Sequence, residues 1–453
     1  MPNEVEPTDE EQVSTIGPIV SVLALVTLGI CYAGGWEVGF LVSSVVVISI
    51  LIWQACDPFA DAAQWIGQRF ELPGSVRGAT LDAVASSMPE LFSGLFFVIV
   101  ALTSVDPGDP KALEAAGAEG YASTIATCAG SAVYNMILIP AFCALVISFY
   151  RQSRPTIDID DEVITRDGVW FVGCNLVLVV FLFQDAVTWW MAVVLLGLYA
   201  VYVYHLFHDA QVYRVKVRAI QRHLEKVGED ATDVTVIEAV KAEGYRVSRV
   251  TAIRSIDAHA EGELGIEEEE QTRTAGVFFG MFDVPLNGRS AWAIIVCSTL
   301  VSALACYFLV ESTYQAAEVL SVPAFFVAVI IAAAASSVPD TLLAIGAAMR
   351  GDDSGAVSNA FGSNIFDICV CLSIPLLVNS YLLGWEPVSL LQDGHPASGL
   401  VGLRVLLVVL TISTLGIMWH KRQLTRTKAL VLCGSYVLFI AYAVLGSLGL
   451  LDF

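Results

Sequence analysis

Positive charge is scarce in this chain. Its 453 residues carry 23 lysines and arginines against 45 aspartates and glutamates, a net charge of −22. A nucleic-acid partner needs basic surface to neutralise phosphates, so that class is excluded. Charged residues of either sign make up only 15% of the chain, while 56% is hydrophobic and the mean hydropathy is +0.70. Ordinary water-soluble domains carry more charge than this. Cysteine occurs ten times, mostly inside apolar runs (Cys128, Cys143, Cys174, Cys297, Cys306, Cys433), without zinc-ligand spacing. Cys369-x-Cys371 reads as helix filling, so neither a zinc module nor a disulfide framework is expected. A signal peptide is not expected either. The first apolar run follows Glu4, Glu6, Asp9, Glu10 and Glu11, where a signal would carry basic residues, so residues 16–33 read as a retained helix.

What the chain does have is apolar length. Runs at about 16–33, 38–56, 78–102, 125–149, 168–184, 187–206, 291–310, 323–349, 355–379, 400–419 and 429–448 each approach the ~20 residues that cross a bilayer. Barrel strands would be half as long and would alternate. The expectation is an all-α polytopic membrane protein with the lipid bilayer as its surroundings. Residues 1–15 read as a disordered acidic tail, and 104–120 and 311–321 as loops. Residues 207–290 form the one long polar segment. Within it, Tyr213, Val217, Ile220 and Leu224 share a helical face that suits either a membrane-surface helix or a solvated continuation of the preceding span. A second helical patch falls around 236–243. The acid run Glu267–Glu270 lacks EF-hand spacing and reads as solvated charge.

Basic residues set the expected orientation. With 207–290 cytoplasmic, the segments 57–77 and 150–167 (Arg69, Arg77, Arg151, Arg154, Arg166), Arg350, and the Lys421–Lys428 turn share that side. The opposite loops hold only Lys111. The N-terminus is then cytoplasmic.

One short pattern is written twice. Ala83-Val84-Ala85-Ser86-Ser87-Met88-Pro89-Glu90 lies in one apolar run, and Ala333-Ala334-Ala335-Ser336-Ser337-Val338-Pro339-Asp340 in another, 250 positions later. Pro73 and Pro323, and Cys56 and Cys306, keep that spacing. In the runs that follow, Gly130, Ser131 and Asn135 match Gly362, Ser363 and Asp367, 232 positions apart. Each half therefore has five helices with the motifs in one order, 38–206 and 291–453. Five is odd, so the second half enters from the opposite side. Such inverted repeats place a substrate site near the midplane, where helices are interrupted.

Burying a carboxylate in a bilayer costs about 2.5–3.5 kcal/mol on insertion scales. Glu90, Asp340 and Asp367 all lie there, and no lysine or arginine shares the motif helices near them. A bound cation is the economical counter-charge. Pro89 and Pro339 lack an N–H and each is expected to break its helix, freeing carbonyls near Ala85 and Ala335. Ser86, Ser87, Ser336 and Ser337 add hydroxyls, and Ser131 and Ser363 stand one turn before Asn135 and Asp367. The donors are all oxygen, which hard cations prefer; Zn²⁺, Cu⁺ and Fe²⁺ favour His or Cys, and no His lies in these helices. A single Ser-Pro kink serves packing as readily as binding. Two matched ones bearing acids do not fit packing alone.

These residues resemble the calcium/cation antiporter superfamily, the sodium/calcium exchanger fold, over about 38–206 and 291–448. The stretches Ser86-Ser87-Met88-Pro89-Glu90-Leu91-Phe92 and Ala356–Asp367 look most like the potassium-dependent sodium/calcium exchangers. The resemblance implies two inverted five-helix repeats plus one extra N-terminal helix. It implies Ca²⁺ carboxylates at Glu90 and Asp340, with backbone oxygens near Ala83, Ala333, Ser86 and Ser336. It also implies flanking Na⁺ sites at Ser87, Ser337, Ser131, Ser363, Asn135 and Asp367, with Asp367 tied to K⁺ use. The ions Ca²⁺, Na⁺ and K⁺ are cargo, and no cofactor is expected. Two features depart from the pattern: Ala85 and Ala335 stand where the family has Gly, and Asp82 is unexpected, reading either as an additional cation ligand or, the favoured reading, as a residue of a water-filled entry. The expected activity is Ca²⁺ exchange for Na⁺, with K⁺ co-transport as a variant. The alternative is coupling to H⁺ or movement of another divalent ion. An intramembrane aspartyl protease using Asp340 and Asp367 lacks its Gly-x-Gly-Asp signature, and a channel is the remaining rival.

Overall fold

A computed structural model describes residues 9–69, 76, 78–151, 155–159, 163–227, 232–244, 252, 256, 274–392, 395–396, 399–448 and 450. Residues 1–8, Pro73, Arg77, Arg154 and Glu267–Glu270 lie outside these. Among the described residues, eleven helices are long and apolar enough to cross a membrane. They are α1 (Gly17–Gly34), α2 (Glu37–Gly67), α3 (Gly78–Thr103), α4 (Pro110–Tyr150), α5 (Ile164–Leu182), α6 (Trp189–Asp209), α7 (Gly288–Leu320), α8 (Ala324–Met349), α9 (Asp353–Leu382), α10 (Leu400–Arg422) and α11 (Arg426–Ser447).

Local chemistry sets where several of them start and stop. Asp109 accepts from the backbone N–H groups of Lys111 and Ala112, and Pro110 takes the first helical position, so α4 begins there. Asn287 and Ser290 cap each other's backbone at the head of α7. Asp352 accepts from Gly355 N at 2.8 Å to open α9, and Gly351, at φ +88, makes the turn from α8.

These caps correct several expectations. Residues 110–120, read as loop, are the first turns of α4, and only 104–109 connects it to α3. Likewise α7 runs on to Leu320, so 311–320 is helix rather than loop. Lone Lys, Glu and Gly residues depressed the apolar count there without breaking the helix. The first helix already starts at Asp9, so 9–15 is helical. Of the two readings of residues 213–224, the continuation of the preceding span holds rather than a separate membrane-surface helix, because α6 continues without a break as one helix Trp189–Val227. Its residues Ala219, Ile220 and Leu224 pack on Val236 and Val240 of the short helix Asp233–Ala242.

Burial sorts the helices into interior and periphery. The spans of α9, α8, α4 and α3 are 72%, 67%, 67% and 56% buried, while α1 reaches only 11%. The four buried helices are those carrying the repeated motifs. Their arrangement follows the sequence repeat residue for residue at two crossings. A Cβ on Gly130 would lie 2.4 Å from Val329 O, and a Cβ on Gly362 would lie 2.6 Å from Ala79 Cα and 2.8 Å from its O. Gly130 and Gly362 are one repeat pair, Ala79 and Val329 the other. Only glycine lets these backbones touch. The wide π-helical turns Gly78–Asp82 and Ala328–Ala332 also coincide under the 250-residue spacing. The chain is thus two inverted five-helix repeats, α2–α6 and α7–α11, plus the extra α1.

Short two-stranded pieces tie the loops together, among them Ile157–Asp158 with Gln423–Leu424 and Ala186–Val187 with Val388–Ser389. Arg151, at the end of α4, forks onto Asp353 at 2.7 and 3.1 Å and also reaches Ala348 O.

Candidate cation site

Each π turn ends one residue before a motif. It adds a residue to the helical circuit and sets aside a backbone carbonyl. Ser86 Oγ donates back to Asp82 O (2.8 Å) and Ala83 O (3.3 Å), and Ser336 Oγ to Ala333 O (3.2 Å). The two halves then differ. The helix of the first motif passes through Pro89 unbroken from Ala83 to Thr103. The second is interrupted at Ser337, between Ala333–Ser336 and Val338–Met349. The expected break at Pro89 is therefore corrected. A proline removes one hydrogen bond, and packing along a buried helix can hold the axis through it.

The glycine crossings bring Ser131 and Ser363 to the centre, where they join the two repeats. Ser131 Oγ lies 3.0 Å from Glu90 Oε1, 3.0 Å from Asp367 Oδ2 and 2.9 Å from Ser337 Oγ. Asn135 Nδ2 donates to Ser131 Oγ at 3.3 Å and to Asp340 Oδ2 at 2.9 Å. Ser363 Oγ donates to Asp340 Oδ1 at 2.8 Å and lies 3.4 Å from Ser86 Oγ. Ser337 Oγ donates to Glu90 Oε1 at 3.4 Å. Glu90, Asp340, Asp367, Asn135 and the six serines are all fully buried, as are Ala83 and Ala333.

Counting protons shows what the cluster lacks. A serine hydroxyl has one proton, and Ser131 faces two carboxylates and another hydroxyl. It can satisfy one of them. Glu90 Oε2, Asp367 Oδ1, Ser87 Oγ and Asn135 Oδ1 are buried with no hydrogen-bond partner. The shortage follows from one departure between the repeats. Asn135 donates to Asp340, whereas its counterpart Asp367 can only present another carboxylate to Glu90. Two carboxylates, each with one orphaned oxygen, therefore face each other across Ser131 on the Glu90–Asp367 side. Among the described residues, no three His, Cys, Asp or Glu side chains form a metal cluster by themselves. The hydroxyls, the amide and the backbone have to complete any cage. An all-oxygen donor set of this kind fits a hard cation.

Several participants were not evident from the sequence. The thiols of Cys306 and Cys371 donate to Pro89 O (3.5 Å) and Ser87 O (3.6 Å), capping motif carbonyls. Thr341 Oγ1 reaches Tyr134 Oη at 3.3 Å. Asp167, fully buried, holds Arg166 in a two-pronged pair (2.7 and 2.9 Å) and accepts from Tyr202 Oη (3.2 Å) and Ser358 Oγ (2.8 Å). The adjacent Arg-Asp just before the apolar run 168–184 was the signal for it. Asp82 is buried, and its backbone carbonyl serves Ser86.

The sequence model described as "Sodium/calcium exchanger protein" matches residues 40–208 and 290–445, both repeats. The chain belongs to the sodium/calcium exchanger protein family. Human Sodium/potassium/calcium exchanger 3 is 27% identical over 209 residues, covering 44% of this chain and 29% of that one. Human Sodium/potassium/calcium exchanger 2 is 22% identical over 528 residues, covering 86% and 75%. The alignment thus spans under a third of the first relative's length. The solved H+/Ca2+ exchanger CAX shares 12% identity with a TM-score of 0.55, covering 96% of this chain and 94% of that one. The sodium-calcium exchanger NCX_Mj shares 16% with a TM-score of 0.50, covering 88% and 97%. At such identity these likenesses concern the exchanger fold alone.

Proposed function

We propose that this chain is a secondary antiporter that exchanges Ca²⁺ for Na⁺ by alternating access, with K⁺ as a co-transported ion. The observation that carries the reading is the unmet demand at Ser131, where one hydroxyl proton faces the carboxylates of Glu90 and Asp367. A cation held by Glu90, Asp340 and Asp367, with oxygens of Asn135, Ser86, Ser87, Ser131, Ser336, Ser337, Ser363, Ala83 and Ala333, meets it. Sodium brings one charge and calcium two, so they leave different residual charge among the same oxygens. Exchange then needs no covalent step, and the reading is of a transporter rather than an enzyme. Burial on all sides supports an occluded state, which either ion stabilises by neutralising carboxylates that otherwise repel. The names of the sodium/potassium/calcium exchangers point the same way.

Residues 207–290 and the N-terminus are assigned to the cytoplasm on the distribution of basic residues. A proton on Glu90 or Asp367 would also satisfy Ser131, so the same geometry supports a second reading, H⁺/Ca²⁺ exchange. Purified protein in vesicles under imposed Na⁺, Na⁺ plus K⁺, and H⁺ gradients separates the two. Ca²⁺ uptake is expected with Na⁺ and lost in Glu90→Gln and Asp340→Asn. Uptake driven by H⁺ alone selects the second reading, and normal uptake in both variants removes the site assignment.

A further inference from the structure

The segment leading into α7 holds a small hairpin that the transport site does not use. Strands Thr274–Val277 and Phe282–Pro285 pair in antiparallel register, Thr274 opposite Pro285 and Val277 opposite Phe282. Hydropathy assigns it to the polar segment, yet its tip is Phe278-Phe279-Gly280-Met281-Phe282. Phe278 and Phe279 sit at φ 53 and 60, a left-handed conformation that bulky residues rarely adopt. The hairpin lies along α2. Ala275 is buried with Ala62, Leu286 and Ala291; Gly276 N donates to Asp61 Oδ2 (3.2 Å), and Phe279 N to Gln54 Oε1 (2.7 Å). The Phe279 ring meets Trp53 edge-on at 5.3 Å and covers Gly17 so closely that a Cβ there would collide.

The level of this contact is informative. Basic and aromatic residues mark the headgroup layer. On α2, whose helix continues past the span to Arg69, that mark is Arg69 stacked 4.9 Å over Trp65, and on α7 it is Arg289 with the exposed Trp292. Gln54 lies eleven residues before Trp65, which is about 16 Å along a helix axis. The tip therefore points from that layer toward the apolar part of α2 and reaches the level of Gln54 and Gly17, where the apolar runs 38–56 and 16–33 meet this side of the membrane. Backbone is tolerated there only when its polar groups are paired, and here the strand ladder, Asp61 and Gln54 pair them. Phe278, Met281 and Phe282 remain 62%, 63% and 60% exposed. The neighbouring α1 continues the same kind of surface, with Ile19, Val22 and Leu23 exposed to 58–59%.

We propose that the hairpin Thr274–Pro285 is a re-entrant membrane element whose tip contacts the acyl chains of the bilayer. Because it bonds to α2 and runs directly into α7, lipid packing at this leaflet acts on the first helix of each repeat. Lipid, rather than a second copy, is the occupant because the exposed tip is continuous with the apolar outer face of α1.

The test does not depend on transport. Nitroxide labels are placed at Phe278 and Phe282 in a Cys297→Ser, Cys433→Ser background, in phosphatidylcholine nanodiscs, with Thr274 and Leu23 labelled as aqueous and lipid references. Power saturation at 278 and 282 is expected to favour O₂ over the nickel chelate NiEDDA several-fold, as at Leu23. NiEDDA access equal to that at Thr274 would place the tip in water and overturn the proposal. Exclusion of both reagents with dipolar broadening would assign it to a second copy instead. Unmodified protein gives an independent readout with a diazirine phospholipid. Carbene adducts within 278–282 are expected, and adducts on α1 without any in the hairpin would refute the idea.

Discussion

Replacing Ser131 by alanine is the most direct perturbation of the site. The substitution removes one oxygen that lies 3.0 Å from each of two carboxylates and 2.9 Å from Ser337. The hydroxyl carries one proton, so only one charge-assisted bond is lost, worth about 1.5–3 kcal/mol. At about 1.4 kcal/mol per decade, half-saturating Ca²⁺ should rise roughly 10- to 150-fold. Ser363→Ala removes one carboxylate bond, to Asp340 at 2.8 Å, and should cost a similar amount. The two differ in what remains. Asp340 keeps the Asn135 amide, while Asp367 loses the hydroxyl that lies 3.0 Å from its Oδ2. Ser131→Ala should therefore be the more damaging. Isotopic Ca²⁺ flux in vesicles across a Ca²⁺ series measures both, with Ser148→Ala, which bonds only its own helix, as control. A folded Ser131→Ala protein within twofold of the parent, or Ser363→Ala the worse by tenfold, would refute the reasoning.

Gly130→Ala and Gly362→Ala should each lower thermal stability by about 1–3 kcal/mol, since the added carbon meets backbone rather than a flexible side chain; melting in detergent reports it. Asp367→Asn should raise the melting temperature in cation-free buffer, because an amide can donate where two carboxylates now face one proton, and should shrink the stabilisation by K⁺ or Ca²⁺. An unchanged melting temperature with a full K⁺ response would contradict this. Arg151→Ala should destabilise by about 1–3 kcal/mol because it leaves Asp353 with only the Asp158 N–H, at 3.0 Å, among the described residues, and Asp353→Ala on top of it should add less than it costs alone; additive losses in that double-mutant cycle would mean the pair is not a unit.

How much of this was legible beforehand varies with the kind of signal. Hydropathy located all eleven spans because the bilayer enforces apolar length, but it lost the ends. Asp109-Pro110 looked like loop chemistry and is a helix cap, and Lys111, Glu114 and Gly117 read as polar although the helix carries them. The apolar tip at Phe278 was hidden for the opposite reason, being too short to register inside a polar segment. Pro89 misled because the missing N–H is a local fact, whereas the break depends on neighbours: the first helix holds and the second yields at Ser337.

The sequence by itself determined the class, the inverted duplication and the candidate residues that gather around Glu90 and Asp340. A repeated pattern of small residues, hydroxyls, proline and acid needs no coordinates to be seen, and buried carboxylates without basic partners constrain what can accompany them. Only the tertiary structure decided which repeat partner bonds to which. Ser131 reaches across to Ser337 and Asp367, while Ser363 pairs with Asp340 and Ser86, so the site is lopsided although the motifs are not. The reason is that a one-atom change, amide to carboxylate between Asn135 and Asp367, alters no helix and no hydropathy, yet it inverts a donor where two chains of backbone meet.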